Sequence, residues 1–165
     1  MLVWEILSKE NVIKMIVTGL PTLLIAAIVP FISIKFALKQ FYTQKWWETK
    51  ASTYSKIIEN LSSLEYTMNQ LYEHEALNII NLSDSALKKF IELRSHSYDV
   101  ISQMNSTGSY IISNECWETL RELLKSLEYR NKDGNWIDDY EVHLSAIGDA
   151  LTKIRDIAKR DLRVK

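Results

Sequence analysis

The sequence predicts an all-α protein in which one N-terminal transmembrane helix is followed by a cytoplasmic antiparallel bundle of about four helices. Three observations predict this class. Residues 15–34 contain no charged side chain, and apolar residues recur at intervals of three and four through most of the remaining chain. Both prolines, Pro21 and Pro30, lie in the uncharged stretch. Nothing after it is therefore interrupted by proline, and long helices are expected.

Length, charge and cysteine content restrict the class of protein further. The chain has 165 residues and a formal net charge of -1. This is enough for one domain, and a nearly neutral chain is not expected to bind nucleic acid specifically. The single cysteine, Cys116, excludes an intramolecular disulfide and a thiolate metal cluster.

The first two segments concern the membrane. Residues 1–14 can form a short amphipathic segment at the membrane interface. Residues 15–34, "MIVTGLPTLLIAAIVPFISI", would measure about 30 Å as a helix, which is the thickness of the hydrocarbon core. We interpret them as a retained transmembrane helix, because no small-residue cleavage site follows. Gly19, with Pro21, is compatible with a helix–helix contact or a hinge, and a passive anchor is the simpler alternative.

Basic residues set the predicted orientation. The lysines after the span are Lys35, Lys39, Lys45 and Lys50, and those before it are Lys9 and Lys14. By the positive-inside rule, the C-terminal part is cytoplasmic, and the chain crosses its membrane once.

Residues 35–50 form a basic and aromatic segment that we predict to be helical. Trp47 belongs to the apolar stripe of the first bundle helix and is predicted to pack in its core. Trp46 lies about 100° further round the helix. It is predicted to contact the membrane surface, the bundle or another protomer, and these three positions remain open.

A membrane or partner interface is predicted from the span and the segment that follows it. Its residues are Gly19, Pro21, Pro30, Lys35, Lys39, Phe41, Tyr42, Trp46 and Trp47. The predicted partners are the lipid bilayer and either further copies of the chain or a cytosolic protein.

Residues 51–165 are predicted to be the helical bundle, whose apolar stripes indicate four helices. The stripes are Trp47, Ala51, Tyr54, Ile58, Leu61, Leu64, Met68 and Leu71; Leu87, Ile91, Tyr98, Ile101 and Met104; Trp117, Leu120, Leu124 and Leu127; and Ile137, Tyr140, Leu144, Ile147, Leu151, Ile154 and Ala158. "NLSDSAL" and Ser113 supply N-caps, and "RNKDGN" a turn. Loops this short favour an up-down-up-down arrangement.

The C-terminal helix ends in a basic tail. Its residues include Arg155, Lys159, Arg160 and Arg163. In an up-down bundle the fourth helix returns toward the membrane, so the tail is a candidate for contact with anionic lipid. Alternatively, these cations simply suit the C-terminus of a helix.

Candidate catalytic groups are few. Asp139 and His143 share a helix face, and we interpret them as a solvated surface pair, because a metal or acid–base site needs further groups from other helices. Cys116 is interpreted as a small helix residue, with a reactive thiol near a helix N-terminus as the alternative. Zinc-protease, di-iron, phosphate-loop and nucleophile-elbow motifs do not occur. We therefore expect no catalytic residue, metal or cofactor.

Three segments carry a resemblance to a family. They are "KWWETKASTYSKIIENL" after the span, "GSYIISNECWETL" before the third bundle helix, and "IRDIAKRDL" near the end. The chain resembles bacterial single-pass, membrane-anchored helical proteins of unassigned biochemistry. Similar small proteins occur as accessory or effector subunits of anti-phage defence systems, and the resemblance implies a role of that kind. It implies no catalytic residues.

Three functional hypotheses follow. The first is a membrane-tethered interaction module, either a scaffold or a regulatory subunit. The second is an anti-phage defence or toxin-like effector that perturbs the membrane when several spans assemble. The third is an enzyme with a site around Asp139 and His143 in the bundle.

Overall fold

The computed structural model describes residues 9–130 and 136–164, and these ranges contain four α-helices. The helices are α1 (Lys9–Glu75), α2 (Asp84–Thr107), α3 (Asn114–Leu127) and α4 (Trp136–Leu162), and a 3₁₀ turn (Gly108–Tyr110) precedes α3. The described residues contain no β-strand. The predicted all-α class is confirmed.

The chain divides into two compact units, residues 1–46 and residues 47–165. The described part of the first unit belongs to α1. Its side chains from 24 to 46 are all exposed, and the most apolar window is 0% buried. This N-terminal helix is long and apolar enough to cross a membrane.

The predicted span, the basic and aromatic segment and the first bundle stripe all belong to one helix, because α1 is uninterrupted from Lys9 to Glu75 and includes Pro21 and Pro30. The predicted amphipathic segment, residues 1–14, lies mostly outside the described residues.

The second unit is a bundle around one apolar core. The core is Tyr54, Ile57, Leu61, Leu64, Met68, Ile101, Ile112, Cys116, Leu120, Leu123, Ile147, Ala150, Leu151, Ile154, Ile157 and Ala158. Polar contacts give the helix directions. Tyr54 bonds to Asp161 and Tyr72 to Glu141, so α1 and α4 are antiparallel. The contact of Ser63 with Ser97 fits an antiparallel α1 and α2.

Two serines cap helices as the sequence predicts. The Ser83 hydroxyl accepts a hydrogen bond from the Ala86 N–H at the start of α2, and Ser113 accepts one from the Cys116 N–H at the start of α3. Each bond satisfies an N–H that has no partner inside its helix. Most of the predicted turn "RNKDGN" lies outside the described residues.

The prediction that Trp47 packs in the core is wrong. Trp47 is 50% exposed, and burial in α1 begins at Thr53 and Tyr54. The physical reason is the length of α4. Its Asp161, one residue from the helix end, already pairs with Lys50, so Trp47 lies beyond the last turn that α4 covers.

The second predicted stripe is only partly buried. Ile101 is fully buried, whereas Ile91 is 41% exposed, and Ser97 is the other buried residue of α2. The cause is the length of α3, which has 14 residues against 24 in α2. Trp117 near the start of α3 bonds to Asn105 near the end of α2, so α3 ends before it reaches the first turns of α2.

Candidate functional site

The predicted interface residues within the span have open surroundings. A Cβ placed on Gly19 would meet nothing within 4 Å, and Pro21 and Pro30 are exposed. This part of α1 therefore presents a surface that is uncovered in the described chain. That surface is available to lipid or to another helix.

Aromatic and basic side chains follow the span. Phe41 and Tyr42 meet edge to face with ring centroids 5.9 Å apart, and the Lys35 ammonium lies 4.8 Å from the centroid of the Phe31 ring. The latter is a cation–π contact.

The two tryptophans and Lys39 are exposed as well. Trp46 is 51% exposed, close to the value for Trp47. About half of the surface of each residue is thus accessible. The sequence leaves three positions open for Trp46, and this exposure disfavours the one in the bundle core. Contact with lipid or with another protomer stays a prediction.

The basic tail on α4 makes contacts within the second unit. These are Arg155 with the Ser62 hydroxyl (3.3 Å), Lys159 with Asp156 (3.7 Å) and Arg160 with Glu115. Arg163 is exposed at the end of the helix. Three of the four side chains in this tail therefore have polar partners within the bundle. Contact of the tail with anionic lipid stays a prediction.

A partly buried polar cluster joins three helices near the start of α3. The Tyr54 hydroxyl donates to Asp161 and accepts from the Ser113 N–H (3.2 Å). The Lys50 ammonium lies 3.3 Å from the Asp161 carboxylate. We call these four residues the Tyr54 cluster. Since every polar group in it has a partner, the cluster fixes α1, α3 and α4 relative to one another.

The electrostatics of the Tyr54 cluster favour a neutral tyrosine and an ionised aspartate. Burial, followed by the hydrogen bond to Asp161, raises the pKa of Tyr54 to about 12. Burial disfavours the Asp161 carboxylate, but hydrogen bonds from Tyr54, Ser113 and Lys50 outweigh this effect and hold its pKa below the usual value. A structural role follows, because neither group titrates near neutral pH.

Cys116 lies next to this cluster and is fully buried. Burial, followed by the negative charge of Asp161, raises the pKa of its thiol to about 12. A reactive cysteine needs a lowered pKa and access to solvent, and Cys116 has neither. The structure agrees with the interpretation of Cys116 as a small helix residue.

An open cleft of about 630 Å³ lies at the opposite end of α3. All four helices and the residues after α3 contribute to it. The lining residues are Leu64, Met68, Arg94, Ser95, Tyr98, Leu127, Glu128, Arg130, Asp139, Tyr140 and His143. Because α3 ends at Leu127, the first half of α2 has no α3 turn opposite it, and this gap forms the cleft.

The prediction that Asp139 and His143 form a solvated surface pair is wrong. Asp139 is 9% exposed and His143 is 6% exposed. They are on the wall of the cleft, and His143 Nε2 donates to the Tyr129 carbonyl oxygen at 3.2 Å. Burial lowers the pKa of His143, and the charges of Arg130 and Arg94 add to this, while the hydrogen bond to Tyr129 and the charge of Asp139 oppose it. The imidazole is therefore mostly neutral at pH 7.

Tyr140 occupies the same wall. Its hydroxyl donates to the Glu75 carboxylate at 3.1 Å, and Arg94 also bonds to it. Burial raises the pKa of Tyr140, followed by the negative charge of Glu75. This side chain is a neutral donor that links α4 to α1 and α2.

The other histidines do not join the cleft. His74 Nδ1 accepts from the Leu82 N–H at 3.3 Å, so it fixes the connection between α1 and α2, and His96 is exposed. Within residues 9–130 and 136–164, no group of three or more His, Cys, Asp and Glu side chains could hold a metal ion.

Sequence reasoning missed most of the cleft. The spacing of Asp139 and His143 pointed to one of its walls, but nothing in the sequence linked them to Arg94 or Arg130. These arginines lie on other segments, and their convergence depends on where α3 ends. One signal in the sequence does indicate the gap. The third apolar stripe spans fewer residues than the stripes before and after it, which indicates a shorter third helix.

The chain matches no protein family, no curated protein and no solved structure at a significant level.

Proposed function

We propose that the protein is a membrane-tethered helical interaction module, a scaffold or regulatory subunit that acts through protein–protein contacts at the bacterial inner membrane. One observation carries this proposal. The most apolar window of α1 is 0% buried, while the second unit buries a core of its own. An apolar helix that the chain does not cover is best accounted for by lipid, and the bundle is then held at the membrane surface.

The bundle also offers apolar surface for a partner. Tyr66, Ile79 and Tyr110 are 55%, 69% and 72% exposed. Exposed aromatic side chains such as Tyr66 and Tyr110 are enriched where proteins bind one another. They support a contact with a cytosolic protein or with a second copy of the chain.

Membrane attachment is tested by fractionating cells that express the full chain with an epitope tag. The full chain is expected to stay in the membrane pellet after an alkaline carbonate wash and to dissolve in detergent. Replacing Ile25 and Ile28 together by Arg should release it, since each Arg at the centre of a span costs about 2.5–3.5 kcal/mol. The control is the same pair replaced by Leu. Carbonate extraction of the full chain would contradict the proposal.

Orientation and partner binding are tested on the same membranes. We expect protease added to inverted inner-membrane vesicles to degrade the bundle, and protease added to intact spheroplasts to leave it whole. Cross-linking followed by mass spectrometry should then identify the partner or a second copy of the chain. If residues 15–34 are exchanged for an unrelated span, a scaffold keeps the same cross-links.

A second candidate is an effector of anti-phage defence that perturbs the membrane when spans assemble. The observation that favours it is Gly19, where nothing lies within 4 Å of an added Cβ, so another span can approach closely. Expression of the full chain should then depolarise the membrane, and Gly19→Leu should prevent this. A normal membrane potential after expression, with Gly19→Leu indistinguishable, would favour the scaffold.

A further inference from the structure

We propose that the cleft binds a small organic anion with an apolar body, whose charged group contacts Arg94 and Arg130. This goes beyond the proposed role as an interaction module. It gives the bundle a ligand site of its own.

The size and lining of the cleft fit such a ligand. Its volume of about 630 Å³ lies within the range of small-molecule sites, roughly 300–1,000 Å³. Leu64, Met68 and Leu127 supply aliphatic surface, and Tyr98 supplies an aromatic ring. A flat apolar body can be covered by these side chains, because they come from three different helices.

The charged groups favour an anion. Arg94 and Arg130 reach the cleft from different segments, and Arg94 also bonds to the Tyr140 hydroxyl. Arginines commonly bind carboxylate or phosphate through two parallel hydrogen bonds. Glu128 and Arg130 both line the cleft and are both exposed, whereas Arg94 is half-buried.

The cleft also has neutral polar groups for orienting a ligand. His143 is mostly uncharged at pH 7, because burial and the two arginines lower its pKa. Tyr140 remains protonated. Asp139 has partners of its own in the structure. The negative charge of a bound anion would partly offset the positive charges of the two guanidinium groups. This would raise the pKa of His143.

The test uses the full chain in lipid nanodiscs, with histidine labelled for NMR, and 2-naphthoate as the probe. His143 lies in the cleft, whereas His96 lies outside it and serves as an internal reference. We expect 2-naphthoate to shift the His143 signals in a saturable way and to raise the pKa of His143. The neutral analogue 2-naphthamide should bind more weakly and leave this pKa unchanged.

Variants separate charge from shape. Arg94→Gln and Arg130→Gln should each weaken binding of 2-naphthoate about tenfold, while binding of 2-naphthamide stays the same. Arg155→Gln, outside the cleft, is the matched control. Ser95→Trp should fill the cleft and abolish binding of both probes, whereas His96→Trp, one residue along α2, should not.

Two results would overturn the proposal. One is the absence of any saturable His143 shift with millimolar 2-naphthoate. The other is equal affinity for the acid and the amide in wild type and in both arginine variants. Both results would leave the membrane-tethered role intact, because that role is tested by fractionation and cross-linking.

Discussion

Single residues in the Tyr54 cluster hold three helices together. Tyr54→Phe removes the hydroxyl that bonds to Asp161 and Ser113, and it leaves a half-buried carboxylate with one partner fewer. We expect the free energy of unfolding to fall by about 1–3 kcal/mol. Urea unfolding of the full chain in micelles measures this. Tyr72→Phe, at a more accessible hydroxyl bonded to Glu141, should cost less, and an equal loss would contradict the assignment.

His143 predicts a dependence of stability on pH. Its pKa is lowered in the folded protein, so the unfolded chain binds a proton first as the pH falls. The contribution of neutral His143 to the free energy of unfolding is complete above its ordinary pKa of about 6.5. It is lost as the pH falls through the lower pKa that His143 has in the folded protein. The free energy of unfolding should therefore decrease as the pH is lowered from 7.5 to 5.

The control for this prediction is His143→Gln, which has no titrating group but can still donate to the Tyr129 carbonyl oxygen. Its stability should depend less on pH than that of wild type in the same range. Equal slopes for the two proteins would show that His143 does not titrate differently in the folded and unfolded states.

Core and surface are distinguished by two substitutions in α1. Leu61 is fully buried, so Leu61→Ala should cost about 2–5 kcal/mol. Trp47 is 50% exposed, so Trp47→Ala should cost only about 1 kcal/mol in unfolding free energy. Denaturant titration of both variants checks this. A larger loss for Trp47 than for Leu61 would show that the core extends to Trp47.

At the scale of elements, the two N-cap serines differ in how many parts of the bundle they contact. Ser83 caps α2 alone at an exposed site, whereas Ser113 caps α3 and contacts Tyr54. Ser83→Ala should cost about 0.5–1 kcal/mol, and Ser113→Ala about 1–2 kcal/mol. Thermal unfolding of both variants compares them. The order of the two losses is the decisive result.

The periodicity of the sequence predicted most of the helices, because apolar spacing records which face of a helix is buried. It worked best for α4, where Ile147, Leu151 and Ile154 are all buried. It failed for Ile91, since burial also requires a partner helix that is long enough. Periodicity contains no information on where a neighbouring helix ends, and the exposure of Trp47 has the same cause.

At the scale of the whole molecule, the fold class could be predicted from sequence, whereas the cleft could not. The uncharged residues 15–34 and the four stripes are local features. In contrast, Arg94, Arg130 and His143 come together only through the packing of α2 and α4 and the early end of α3. Contacts between distant segments are what the sequence alone does not specify.

The division into two units predicts that the bundle folds independently of residues 1–46. All of the apolar core lies within residues 47–165. A chain that lacks residues 1–46 should be soluble, helical by circular dichroism and cooperative in unfolding. The comparison is the full chain in micelles. A non-cooperative transition in the shortened chain would show that the bundle requires residues 1–46 in order to fold.

Because Cys116 is buried, the rate at which it is chemically labelled reports how often the bundle opens. A thiol reagent reacts with thiolate, and the fully buried Cys116, the chain's single cysteine, reaches that state only when the bundle opens. The labelling rate under native conditions therefore measures how often α3 separates from its neighbours. The experiment needs no engineered probe, and a ligand that holds the bundle closed would slow the reaction.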